Sequence, residues 1–199
     1  VLSPCDNPFN KFRVDLGFSK VKNKSNVSEY LVIEKGSKDF PELLKEISSP
    51  PERLWVKGII DFRRPALAIV GTRKPTSYGL DAARYFSHAL SQMGFSIVSG
   101  LAFGIDTASH QAALEAGGQT VAVLGSGIDR VTPETNARLA EKIVSQGGLI
   151  SEFPPGTPAW PANFPQRNRL ISGLSLGVLV IEAGKESGAL ITARFAANQ

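Results

Sequence analysis

The stretch 66–129 contains ALAIVGTR (66–73), FSIVSGLAFGID (95–106) and VAVLGSGID (121–129). Each begins as a short, continuous apolar run and breaks at once into a glycine turn. Helix-like segments follow the first two, at 79–93 and 105–116. Apolar runs without alternation are the mark of strands buried on both faces. Strands of that kind separated by helices predict a parallel sheet covered on both sides. The fold class expected is α/β, a doubly wound, mostly parallel sheet with helices on both faces. Ligands of such sheets bind beyond the carboxyl ends of the strands. All three glycine turns fall on that edge.

Working outward, 30–33 and 54–57 read as further short strands. Between them, Asp39 is expected to cap a helix with Pro41 near its first position. Thr132-Pro133-Glu134 has the pattern of a helix start: cap, proline, acid. That helix is expected to run to about Gln146 and stop at Gly147-Gly148. A fourth strand is expected at 149–153, followed by a long loop framed by Pro154, Pro155, Pro158, Pro161 and Pro165. Helix 168–174, strand 177–182 and helix 189–198 complete the reading. Residues 1–29 have no such pattern. They are expected to be an arm or the remnant of a preceding domain, with a small basic cluster at Lys20–Lys24; residues 30–199 are expected to form the core. Two Asn-x-Ser triplets, at Asn23 and Asn26, are read as chance. The chain begins without Met, and no strand follows the last helix. A fragment whose core is cut at its C-terminal edge is therefore expected.

At 199 residues and 42% hydrophobic the chain can bury a full core. The single cysteine, Cys5, excludes an internal disulfide and suits a reducing compartment. No apolar run approaches the ~20 residues of a spanning helix, and no signal peptide is visible. A cytoplasmic location without membrane contact is expected. With two His, one Cys and no Cys-x-x-Cys or His-Glu-x-x-His, no metal site is expected. A net charge of +4 favours a polyanionic partner, though weakly.

The turns supply the chemistry. Glycine brings backbone N–H groups close to a ligand, and a helix N-terminus favours phosphate. Gly71-Thr72-Arg73 adds a guanidinium that can grip phosphate at two points, and Ser77 follows at the helix start. Gly100 and Gly104 flank the second turn, and Gly125-Ser126-Gly127 make the third. The dinucleotide fingerprint fails, because Arg130 stands where its third glycine belongs. Each turn taken alone could be no more than a tight strand-to-helix connection; three on one edge favour an anion site. Phe164-Pro165-Gln166-Arg167-Asn168-Arg169 places an aromatic beside two cations, which suits stacking and phosphate pairing on single strands. Arg167 and Arg169 lie two apart and point to different faces. One could meet phosphate while the other pairs with Glu152 or Glu182; both could also be structural. Ser187-Gly188 opens the last helix, either completing the site or capping the helix. Asp106 and His110, one turn apart, are expected to share a structural hydrogen bond. No nucleophile is poised beside them.

In their order, these motifs resemble the DNA-processing protein A family (DprA, also called Smf). The resemblance runs through Gly71-Thr72-Arg73 with Tyr78-Gly79, 99–106 with His110, 123–129, Ile150-Ser151-Glu152-Phe153-Pro154, 164–174, and Glu182-Ala183 with 187–192. It covers about 170 residues from Tyr30 onward. It implies a Rossmann-like core that binds single-stranded DNA, protects incoming strands in natural transformation and loads a RecA-type recombinase. It also implies a homodimer that needs no metal or nucleotide cofactor and is no enzyme. Carried over by motif, Arg73 is the principal phosphate contact. The loop at Gly125, Ser126 and Gly127 and the expected helix start at Arg167, Asn168 and Arg169 line the same pocket. Thr132-Pro133-Glu134 departs from the family, which often has Tyr-Pro and then a basic residue. The alternative is a nucleotide-processing enzyme of the lysine-decarboxylase-like phosphoribohydrolase group. That group's Pro-Gly-Gly-x-Gly-Thr pattern is replaced here by Ala183-Gly184-Lys185-Glu186-Ser187-Gly188.

Overall fold

Ile69, Ile97, Ala122, Val123 and Ile150 are almost wholly buried, and all lie on neighbouring strands of one sheet. The computed structural model describes residues 30–199. The expectations for the arm, Cys5, the basic cluster and the Asn-x-Ser triplets lie outside the described residues. The organising stretch forms β3 (Ala66–Gly71), α2 (Ser77–Gln92), β4 (Ser96–Ser99), α3 (Ile105–Glu115) and β5 (Thr120–Val123). It is flanked by β1 (Leu31–Glu34), α1 (Glu42–Lys45) and β2 (Arg53–Gly58) before it. After it come α4 (Ala137–Gln146), β6 (Gly148–Ser151), α5 (Asn163–Gly173), β7 (Val178–Ile181) and α6 (Gly188–Asn198).

The seven strands are ordered β1-β2-β6-β5-β4-β3-β7. From β6 to β7 all pairs are parallel; β1–β2 and β2–β6 are antiparallel. The chain winds from β3 out to β6, then returns to place β7 on the other side of β3. The strand order therefore reverses between β3 and β7, and the crevice beyond their carboxyl ends is the preferred ligand position in such sheets.

Strand alternation feeds two layers. Ala66, Ala68 and Val70 pack with α1, α5 and α6 on one face. On the other, Ile69, Ile97 and Ile181 pack against α2 and α3, while Ala122 and Leu149 pack against α4. Helices thus cover both faces. Among the described residues no helix is long and apolar enough to cross a membrane.

Three local expectations are corrected. Helix α5 starts at Asn163, five residues before the expected Asn168, because Pro165 falls in its first turn, where a missing N–H costs nothing. Arg167, Asn168 and Arg169 are therefore mid-helix residues. Near Asp39, α1 is a single turn preceded by Pro41, with no side-chain cap. After Pro133 a 3-10 turn, Glu134–Asn136, precedes α4, and Thr132 does not cap it. The Asn136 amide is drawn inward instead, donating to Leu101 O at 3.0 Å and Thr107 Oγ1 at 2.9 Å.

Candidate functional site

Loops 72–76, 100–104, 124–133, 152–162 and 182–187 leave the carboxyl ends of the parallel strands and share one edge. In the first, Arg73 and Lys74 are exposed and Thr72 is half-buried; Ser77, the first residue of α2, is exposed. Thr76 caps α2, accepting from Gly79 N at 3.1 Å. Its own N–H donates to Glu182 Oε2 at 2.8 Å and its hydroxyl to Glu182 Oε1. These bonds hold the Glu182 carboxyl below its ordinary range. A carboxylate is thus bound at the N-cap of α2.

The second loop is wound around Asp106, whose Oδ2 accepts from Gly100 N at 3.1 Å and Ala102 N at 3.2 Å. Burial pushes its carboxyl up, and the Arg167 charge opposes that shift. Leu101 is fully buried with φ 57°, a conformation rare for its type. Such departures cluster where loops are held for function.

The expected Asp106–His110 bond is not formed. His110 Nδ1 lies 2.7 Å from Thr120 Oγ1, which donates to Ile97 O at 2.8 Å. Because that hydroxyl's single proton is committed to Ile97 O, Nδ1 carries the hydrogen and donates it to Oγ1. Partners on the neighbouring strands outcompete the one a turn away. Burial, with Arg167 nearby, lowers the His110 pKa to about 3. The unfolded chain takes up a proton near pH 6.5 that the folded chain resists, so stability falls as pH drops from there towards about 3. In urea titrations between pH 7 and 5, wild type is expected to lose stability faster than His110→Asn, approaching ~1.4 kcal/mol per pH unit. Identical pH dependence would remove His110 from this role.

The two arginines divide their work. Arg169 forms a two-point pair with Glu152, at 2.6 and 2.7 Å, and donates through Nε to Ser49 O at 3.0 Å. Arg167 is buried, and its Nη1 donates to Gly100 O at 3.0 Å and to Val123 O. Burial lowers its pKa to about 10, which leaves it charged at neutral pH. Neither guanidinium lies open at the surface.

Phe164 joins the loops. Its half-buried ring lies against Gly125 and has the Arg73 guanidinium carbon 5.9 Å and that of Arg167 6.0 Å from its centroid. Ser126 is buried, with its hydroxyl on Arg130 O at 2.5 Å, and Gly127 packs against Pro154 O. Asn168 donates to Gly188 O at 3.1 Å, and Ser187 caps α6 by accepting from Ala189 N at 3.2 Å. Most of the candidate residues therefore build the edge, and few of them present groups to solvent. Arg73 does so, and among the described residues no carboxylate pairs with it.

The same edge also carries residues the sequence reading passed over. Lys74, Arg130 and Lys185 are exposed cations. Tyr78, Phe103 and Trp160 are exposed aromatics, Trp160 at 59%. Their signal was available: each lies on a loop after a parallel strand, or in the first helical turn beyond one. Among the described residues no group of three His, Cys, Asp or Glu side chains is placed to hold a metal.

Comparison with known proteins gives consistent matches. Residues 31–199 match the family model described as DNA recombination-mediator protein A. Protein Smf of Synechocystis is 49% identical over 163 residues, 79% of this chain and 41% of that protein. The solved DNA processing protein A of Streptococcus pneumoniae is 39% identical, with a TM-score of 0.81 over 85% of this chain and 60% of that one. DNA processing protein A of Helicobacter pylori, whose structure was described for its single-stranded DNA binding mode, is 29% identical. Its TM-score is 0.78 over 85% of this chain and 76% of that one. The chain spans about half the length of the curated relatives it matches.

Proposed function

Because this chain belongs to the DNA recombination-mediator protein A family, we propose that its loop edge binds single-stranded DNA, with Arg73 as the principal phosphate contact. The observation that carries this is the exposed Arg73 guanidinium, held over Phe164 at the reversal of strand order. A cation free to meet phosphate, beside exposed rings on which bases can stack, fits a single strand better than a duplex, whose bases are already stacked. Lys74, Arg130 and Lys185 add further exposed cations to the edge, the last two beside the exposed carboxylates of Asp129 and Glu186. Gly71, Gly100, Gly104, Gly125 and Gly127 let the loops pack closely enough to hold Arg73 and Phe164. Arg167, Asn168, Arg169, Ser126, Ser187 and Gly188 fix that framework from behind.

The activity is binding, with no chemical step. Glu182, the carboxylate directly before the 183–188 turn that stands in place of the phosphoribohydrolase pattern, is committed to Thr76. Protection of incoming strands, their transfer to a RecA-type recombinase and action as a homodimer form part of this proposal and rest on the family resemblance.

Fluorescence anisotropy with labelled oligo-dT and a matched duplex tests the reading. Salt-sensitive binding that prefers the single strand is expected. Equal or stronger affinity for the duplex would contradict it, as would release of free base from nucleoside monophosphates. Trp160→Ala is expected to weaken oligo-dT binding by about 1–3 kcal/mol, the scale of one stacked base. Unchanged affinity would take Trp160 out of the interface.

A further inference from the structure

Glu182 places a negative charge on the edge that carries Arg73. Its backbone is in the left-handed region, φ 50°, unusual for glutamate. Its carbonyl accepts from Thr72 N at 2.8 Å. Its carboxylate accepts from Thr76 N at 2.8 Å and from the Thr76 hydroxyl. One residue thus holds both ends of the loop that carries Arg73. The first turn of α2 is shaped to receive it: a Cβ on Gly79 would lie 2.3 Å from Glu182 Oε2. The carboxylate also meets the partial positive charge at the start of α2, where a bound anion would otherwise sit.

We propose that Glu182 is a positioning residue for Arg73, acting as a built-in anion that occupies the α2 N-terminus and fixes loop 72–76. This rests on the single-strand reading of the site and adds a residue that improves DNA binding despite carrying the wrong charge for it. It also favours Arg73 over the helix end as the phosphate contact, because the Glu182 carboxylate beside the N-cap would repel a second anion there.

The sign of the mutant effect makes the test sharp. If Glu182 mattered only through its charge, Glu182→Gln would tighten DNA binding by removing a repulsion. As a positioning residue, its replacement weakens binding. Expected is a loss of about tenfold in oligo-dT affinity, the scale of one charge-assisted hydrogen bond. The salt slope should move towards that of Arg73→Ala, and the double variant should bind no more weakly than Arg73→Ala alone, because the two act as one unit. Equal or tighter binding by Glu182→Gln, or additive losses, would overturn the proposal. Amide hydrogen exchange on the free protein gives a readout independent of DNA. Glu182→Gln should speed exchange at Thr76 and at Thr72, Arg73 and Lys74, while exchange in β4 and β5 stays as in wild type. If the wild-type protein binds no oligo-dT, the functional reading falls, and the exchange result alone upholds or overturns Glu182 as the clasp.

Discussion

Arg167→Met is expected to destabilise the fold by about 3–5 kcal/mol, the scale for removing one member of a buried charged arrangement. Methionine roughly matches the length of the side chain but removes every donor. The carbonyls of Gly100 and Val123 lose the guanidinium that satisfies them, and Asp106 keeps a buried carboxylate without its compensating charge. The loss should appear in urea unfolding as a lower midpoint with an unchanged slope. Asp106→Asn in the Arg167→Met background should recover part of it, since an amide needs no counter-charge. A loss below about 1 kcal/mol, the scale of an ordinary substitution, would show that Arg167 is not the keystone of these loops.

Gly104→Ala is the second large effect, expected at about 2–4 kcal/mol, with a parallel loss of DNA affinity. Gly104 has φ 76° and ψ −119°, and an added Cβ would lie 2.4 Å from Thr72 O and 2.9 Å from Arg73 C. Those are backbone atoms of the loop that carries Arg73, so relief of the collision must displace Arg73. Gly117→Ala is the control. Its φ is 71°, but a Cβ there meets nothing within 4 Å. It should carry only the strain of the left-handed backbone, about 1 kcal/mol, and leave binding unchanged. Equal effects of the two variants would mean that the close approach at Gly104 is unimportant.

The parts of the fold legible in the sequence are those written by local pattern. Continuous apolar runs ending in glycine gave β3, β4 and β5, and the helices between them follow from their spacing. The placement of β2 between β1 and β6 was hidden, because pairing across about a hundred residues leaves no local trace. Pro165 concealed the start of α5, since a proline reads alike as a breaker and as a first-turn residue. In the site, the exposed Arg73 beside a glycine turn was legible. The burial of Arg167 was not, because nothing in Arg-Asn-Arg says which guanidinium faces two carbonyls and which faces Glu152. Asp106 and His110 show the same limit: their spacing permits a bond, but Gly100 N, Ala102 N and Thr120 Oγ1, brought in by the sheet, compete successfully. Trp160 and Phe103 were missed because a lone aromatic in a loop gains meaning only when the loops are seen to share an edge.

The central claim is that Arg73 meets phosphate on a single strand. Oligo-dT affinity measured across a salt series for wild type and Arg73→Ala tests it most directly. Loss of one phosphate contact should weaken binding to every sequence alike and reduce the slope of log affinity against log salt by about 0.7, the value per phosphate for single strands. The same affinity and the same slope in both proteins would contradict the account.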